Sequence, residues 1–247
     1  TAGLYVRGGN PDENLLLLDG VPVYNVNHMF GMFSVFNPDA IKNVTLYKGS
    51  FPAHYYGRLS SVVDIRMKDG DLNQYHGNAS VGLVSSKINL EGPIITGKTS
   101  FNISARRTYS DILLNSAIWL NKQFDFANTD DLSMGYYFYD LNLKLNHKFN
   151  DNDRLYVSWY SGDDDIYFNY RSSGGAYKEK TRLNWRWGNT VAAIRWNHVL
   201  GPKLFMDVSA NYTQYRHKMG NHIKEDDKKN NYKGSMGINM KSGIYDA

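Results

Sequence analysis

The chain has 247 residues, no cysteine and a formal net charge of +4 that is scattered along its length. Disulfide and thiol chemistry are thereby excluded, and no basic stripe of the kind nucleic acid needs is apparent. No stretch approaches 18 consecutive apolar residues, so there is no transmembrane helix. A mean hydropathy of -0.52 leaves the membrane open all the same, because a transmembrane barrel shows lipid only every second residue.

In chain order, residues 1 to about 70 predict short strands with Gly- and Pro-rich connections. Leu4-Tyr5-Val6-Arg7 reads as a strand ended by Gly8-Gly9-Asn10-Pro11. Asn14 to Leu18 carries four leucines in a row, short enough for a strand buried on both faces. Asp19-Gly20, a favoured two-residue hairpin turn, returns it into Val21-Pro22-Val23. Tyr24 to Asn37 reads as an irregular loop rich in aromatics and Met. Ala40–Tyr47 and Ser60–Met67 read as further strands.

From Gln74 onward hairpin follows hairpin. Gly77–Val84 and Lys87–Ile95 pair around a first turn, and Phe101, Ile103 and Ala105 then alternate with Asn102, Ser104 and Arg106. Tyr109–Ser133 is a longer link in which DILLNSAIWL predicts a short helix. In "YFYDLNLKLNHKFNDNDRLYVSWYSG" (137–162) the set Tyr137, Tyr139, Leu141, Leu143, Leu145, His147, Phe149 alternates with Phe138, Asp140, Asn142, Lys144, Asn146, Lys148. Beyond the turn Asp151-Asn152-Asp153, Leu155, Val157 and Trp159 resume the apolar face. Asp163 to Arg186 reads as a long polar loop whose end, RLNWRW, is strand. Val191–Leu200 and Leu204–Tyr215 flank the turn Gly201-Pro202. Met219–Lys233 reads as another long loop, and Met236, Ile238 and Met240 open a last strand.

A soluble sandwich also alternates. Three features favour lipid. Several strands run about ten residues, the span of a tilted membrane strand, against about 5–6 in soluble sheets. Short links at 96–98, 151–153 and 201–202 alternate with long ones at 108–134, 162–182 and 219–234, as short periplasmic turns alternate with long outer loops. Tyr and Trp gather at strand ends, where one side is apolar and the other wet. An eight-stranded barrel is filled by its own side chains and holds no globule of about 70 residues, whereas a barrel around a folded plug needs about 22 strands. The inward faces, rich in Asp, Asn, Lys and Arg, suit a wet or protein-filled lumen. The start at Thr1 and the end within a strand at Ala247 fit a piece of something longer.

Residues 4–70 resemble the C-terminal half of the plug domain of TonB-dependent outer-membrane transporters, on "YVRGG" (5–9), "NLLLLDGVPVYN" (14–25) and "NPDAIKNVTLYKGSFPAHYYGRLSSVVDIRMK" (37–68). The rest looks like the first eight or so strands of that family's barrel. "GLVSSKINLEGPI" and "SARRTYSDIL" look like transporters of Bacteroidetes, a group that includes SusC-like importers. The resemblance implies a mainly β fold: a partial plug over residues 1–72, then over 73–247 about eight antiparallel strands of a larger, roughly 22-stranded transmembrane barrel. It implies active import of a glycan, peptide or metal chelate across the outer membrane of a Gram-negative bacterium. The implied partners are TonB, outer-membrane lipid and a surface lipoprotein of the SusD type. Neither cofactor nor bound metal is implied.

In this resemblance Arg7 and Lys48 are latch residues that pair with barrel carboxylates until TonB pulls. Asn10, Asp12, Tyr24, Asn25, Asn27 and His28 lie on apices that touch substrate; ordinary packing is the competing reading. Asp163-Asp164-Asp165 reads as a solvated acidic loop, with a Ca2+ site as the alternative. No HExxH, GxSxG, P-loop or dinucleotide fingerprint occurs, so an enzyme is not expected. The alternatives to active import are a passive or structural barrel (porin, adhesin or secretion-associated) and a soluble β-rich binding module.

Overall fold

The computed structural model describes residues 4–6, 8–10, 13–49, 52, 55, 60–124, 131–174, 177–227 and 232–246. It has an amino-terminal lobe and a long sheet against which the lobe packs. The lobe is a four-stranded sheet of β1 (Asn14–Leu18), β2 (Val21–Pro22), β5 (Ile41–Tyr47) and β6 (Ser61–Met67), in the order β2-β1-β6-β5. The Asp19-Gly20 turn forms as read, both residues taking positive φ (51° and 89°) as a type I′ hairpin turn requires. β1 and β6 pair in parallel from Asn14 opposite Ser61 to Leu18 opposite Ile65, which places the leucine run at the centre of the lobe. Two expectations are corrected. Leu4–Val6 is not a strand, and Arg7 lies outside the described residues. The loop 24–37 contains a small hairpin, β3 (Asn27–His28) and β4 (Phe33–Ser34), joined by a single 3-10 turn.

The long sheet holds β7 (His76–Val81), β8 (Ser85–Ile95), β9 (Thr99–Thr108), β10 (Asp131–Lys148), β11 (Asp153–Gly174), β12 (Tyr177–Gly201), β13 (Leu204–Asp227) and β14 (Tyr232–Asp246). They pair antiparallel in sequence order, and helix α1 (Ser110–Phe124) links β9 to β10. Among the described residues β7 and β14 are free edges, so the sheet is open. The readings of 163–186 and 219–233 as loops are overturned: both stretches continue their strands. Their alternation was hidden because its polarity is reversed. Ile166, Phe168, Leu183 and Trp185 occupy the face that carries Asp140, Asn142 and Lys144 lower down.

The strand faces show which side of the sheet the lobe covers. On β10 from Phe138 onward the buried residues are Phe138, Asp140, Asn142, Lys144 and Asn146, while the alternate set from Tyr139 to His147 is left exposed or half-buried. Across the sheet the register aligns Leu90, Ile103, Leu143 and Trp159 in one row. Phe101, Leu145, Val157 and Ile194 form the next. A soluble sheet buries its apolar face; this one covers its polar face with the lobe and leaves an apolar band outside, the arrangement of a barrel wall in lipid. Every ladder group must be paired within lipid, so the two free edges call for further strands.

Candidate functional site

The site is the junction between lobe and sheet, and its centre is His28 at the end of β3. Its side chain is about 1% exposed. Nδ1 lies 2.6 Å from Asp164 Oδ2 and Nε2 lies 2.8 Å from Asp140 Oδ1. The ring stacks on Phe138 with centroids 4.1 Å apart and planes 4° from parallel. Asp140 also accepts from Arg106 Nε at 2.8 Å and from the Tyr160 hydroxyl at 2.9 Å. Asp164 also accepts from the Tyr136 hydroxyl and, at 3.1 Å, from the Met29 backbone N–H. Two buried carboxylates thus face Arg106 and an imidazole, so a protonated His28 balances the charge. Burial alone would lower the His28 pKa, but its bonds to Asp140 and Asp164 and their charges outweigh this and raise it to about 9. The adjacent apex is strained: Met29 and Phe30 have φ of 51° and 54°, the left-handed region that non-glycine residues avoid. The hydroxyl of Tyr136, which accepts from the Met29 N–H at 2.7 Å, helps to hold it there.

A second tie lies nearer the short turns. Lys144, with its side chain 3% exposed, donates to Asp19 Oδ1 and the Met67 carbonyl and reaches Asp69 Oδ1, each at 3.0 Å. An ammonium has three protons, and each has an oxygen here. Burial would push the Asp69 carboxyl up, but Lys144 and Lys42 hold it below its ordinary value. Between the two ties Tyr160, Val191 and Ala193 of the sheet join Leu18, Val21, Val35 and Met67 of the lobe in one buried cluster.

Above the junction the lobe apex and the wall enclose a cleft of about 670 Å³ lined in part by Asn25, Asn27, Phe30, Trp185, Trp187 and Tyr215. The Phe30 ring, 72% exposed, lies 5.6 Å from Trp187 and 6.1 Å from Trp185. Trp185 Nε1 donates to His217 Nε2 at 2.6 Å. The cleft presents flat rings flanked by side-chain amides.

The structure brings Asn25 and Asn27 to this cleft. Tyr24 is half-buried and Asn10 exposed, and neither lines it. Asp12 and Arg7 lie outside the described residues. His28 is enclosed rather than presented to the cleft, with both ring nitrogens engaged by the wall. Lys48 is exposed and forms no ion pair among the described residues. Asp163–Asp165 lie on β11 rather than in a loop, and successive strand residues face opposite sides. Asp164 points inward to His28. Asp163 points outward, where it accepts from Tyr139 at 2.6 Å and from Arg186 and Arg216 at 2.8 Å. The three carboxylates therefore do not converge, and the reading of a loop cluster is corrected. Sequence reasoning singled out none of Arg106, Asp140 and Lys144 as site residues. The available signal was their place on the polar, inward-facing set of β9 and β10.

Residues 1–61 match the family model of the TonB-dependent Receptor Plug Domain. Among solved structures the chain is similar to the siderophore receptor PirA from Acinetobacter baumannii (13% identity, TM-score 0.45, covering 96% of this chain and 50% of that one). It is also similar to PirA from Pseudomonas aeruginosa (14%, TM-score 0.42, 97% and 45%). A third is the ferric enterobactin receptor PfeA, as a mutant, from Pseudomonas aeruginosa (11%, TM-score 0.43, 96% and 50%). The chain thus spans about half the length of these structures. No curated protein matches it.

Proposed function

We propose that this segment of a TonB-dependent receptor, whose residues 1–61 match the plug-domain model, serves energy-driven import across the outer membrane. Residues 1–72 are the plug portion and 73–247 the first part of the surrounding wall. The observation that carries the proposal is the inverted wall. Its lipid-side face is apolar, and its polar face is buried and ion-paired to the plug. Ion pairs of this kind hold a plug without making it permanent, because a buried charge that loses its partner is strongly destabilised and the pair re-forms when the parts meet again. Cargo binds at the apex cleft, where rings can stack on a sugar, an aromatic side chain or a chelate, and Asn25 and Asn27 can hydrogen-bond its polar edge. Force from TonB on the plug then breaks the His28 and Lys144 ties. Arg7 and Lys48 are further latch cations of the plug.

The test is uptake by a strain with and without the full-length gene, offered radiolabelled glycans, peptides and ferric chelates in turn. Gene-dependent uptake of one class that stops with a protonophore or with loss of TonB is expected. Gene-dependent uptake indifferent to both would identify a passive channel instead.

A further inference from the structure

The inward face of the wall changes character above the lobe. Asp164, Trp187 and His217 lie in one row across β11, β12 and β13, at the level of the His28 tie and the cleft. From this row to their outer ends β10 to β14 keep their register without a break, so residues two apart stay on the same face. Two rows farther out, Met134, Phe168, Leu183, Asn221 and Ile238 stand side by side. The row below adds Ile166, Met219 and Met240, and the row above adds Ile223 and Met236. These three rows hold no charged side chain. Apart from aromatic groups, their polar members are Thr181 and Asn221. Met236, Ile238 and Met240 are each more than half exposed. Five strands about 4.8 Å apart and three rows about 6.6 Å apart make an apolar field on the order of 400–500 Å², the size that marks an interaction surface.

One row beyond this field Glu179 lies directly opposite Glu225, on the same inward face. Like charges so placed destabilise a pair of strands. Glu179 accepts from Thr181 Oγ1 at 3.1 Å, and neither carboxylate forms an ion pair among the described residues. On β10 to β14 no Lys or Arg stands on this face between the cleft and the two glutamates. The inner wall therefore runs from a ring-lined cleft, over an apolar field, to an acidic mouth.

We propose that this face docks a cationic, apolar peptide in extended form as the cargo. The proposal rests on the reading of the protein as an importer whose cargo enters at the apex cleft. Rows about 6.6 Å apart match the alternate side chains of an extended chain, and about eight residues of peptide span the distance from Trp187 to Glu179. Apolar side chains of the peptide lie on the rows and an apolar end enters the cleft. Its lysine, arginine or amino terminus meets Glu179 and Glu225. The thioethers of Met219, Met236 and Met240 adapt to apolar side chains of different shape. A glycan needs many hydrogen-bonding partners, and these rows offer few. An anionic chelate finds two carboxylates and no Lys or Arg here.

The experiment is fluorescence anisotropy of a labelled octapeptide titrated with the full-length protein in non-ionic detergent, with micelles alone as the blank. One peptide has leucine at alternate positions and two lysines at one end; a second carries two glutamates in their place. Maltoheptaose and a ferric catecholate chelate compete in turn, and heat-modifiable migration confirms a closed barrel for each variant. The cationic peptide should bind about tenfold more tightly than the acidic one. E179Q with E225Q should weaken the cationic peptide about fivefold and leave the acidic one no weaker. I238S with M240S should weaken both peptides about tenfold or more. K218Q with K241Q, on the outward face at the same height, should change neither. Equal binding of the two peptides, full binding by either inward variant, or displacement by maltoheptaose or the chelate at lower concentration than by unlabelled peptide would overturn the proposal. Peptide binding as expected, with uptake indifferent to TonB, would uphold the peptide site and overturn active import. A protein that is soluble without detergent and not heat-modifiable would overturn the barrel reading, and the proposal with it.

Discussion

Replacing His28 with Phe isolates the charge in the central tie, because the ring volume and the stack on Phe138 are kept. Raising an imidazole from 6.5 to about 9 corresponds to about 3 kcal/mol in favour of the docked state. This agrees with the ~3–5 kcal/mol usual for removing one partner of a buried pair. The folded value lies above the unfolded one, so the contribution is complete below pH 6.5 and is lost as the pH rises through about 9. Hydrogen exchange of the apex peptide 26–36 in the full-length protein, corrected for the intrinsic pH dependence of exchange, reads this directly. H28F should raise apex exchange about 100-fold at pH 6 and only a few-fold at pH 10. In the unaltered protein protection should fall between those limits. A change of less than about fivefold at pH 6, or the same large change at both pH values, would refute the argument that a protonated His28 holds the apex to the wall.

Three further outcomes are expected. Lys144→Met leaves Asp19 and Asp69 without their buried cation and should cost about 3–5 kcal/mol, seen as faster exchange over 61–69. Because the Asp69 carboxyl is held below 3.8, its share of that stability is present above pH 3.8 and fades as the pH falls below it, and K144M should blunt this acid dependence. Gly188→Ala would place a Cβ 2.1 Å from both Asp163 Oδ1 and the Gly162 carbonyl, where the backbone cannot yield. The heat-modifiable form should then be lost or should melt at clearly lower temperature, by about 2 kcal/mol or more. Phe30→Ala removes an exposed ring, so cargo identified in the uptake assay should bind about tenfold more weakly while the melting temperature stays the same.

Much of the fold was legible because its signals are local. Asp19-Gly20 specified a turn, and the alternation of 137–149 specified a strand with one apolar side. The stretches 163–186 and 219–233 were misread because they are polar overall, and their alternation resumes with the sides exchanged. His28 was read as an apex residue open to cargo. Its partners Asp140 and Asp164 lie 112 and 136 residues away, and no short pattern announces such a pair.

The sequence by itself determined the period-two pattern, the turns and the apolar side of the strands, since each depends on neighbours within a few residues. Only the tertiary structure decided that His28 and Lys144 tie lobe to wall, and that Met134, Phe168, Leu183 and Ile238, scattered through the chain, line up in one inward row. Those juxtapositions depend on strand register, which pairs residues far apart in the chain through backbone hydrogen bonds, and composition and spacing do not encode it in any one segment.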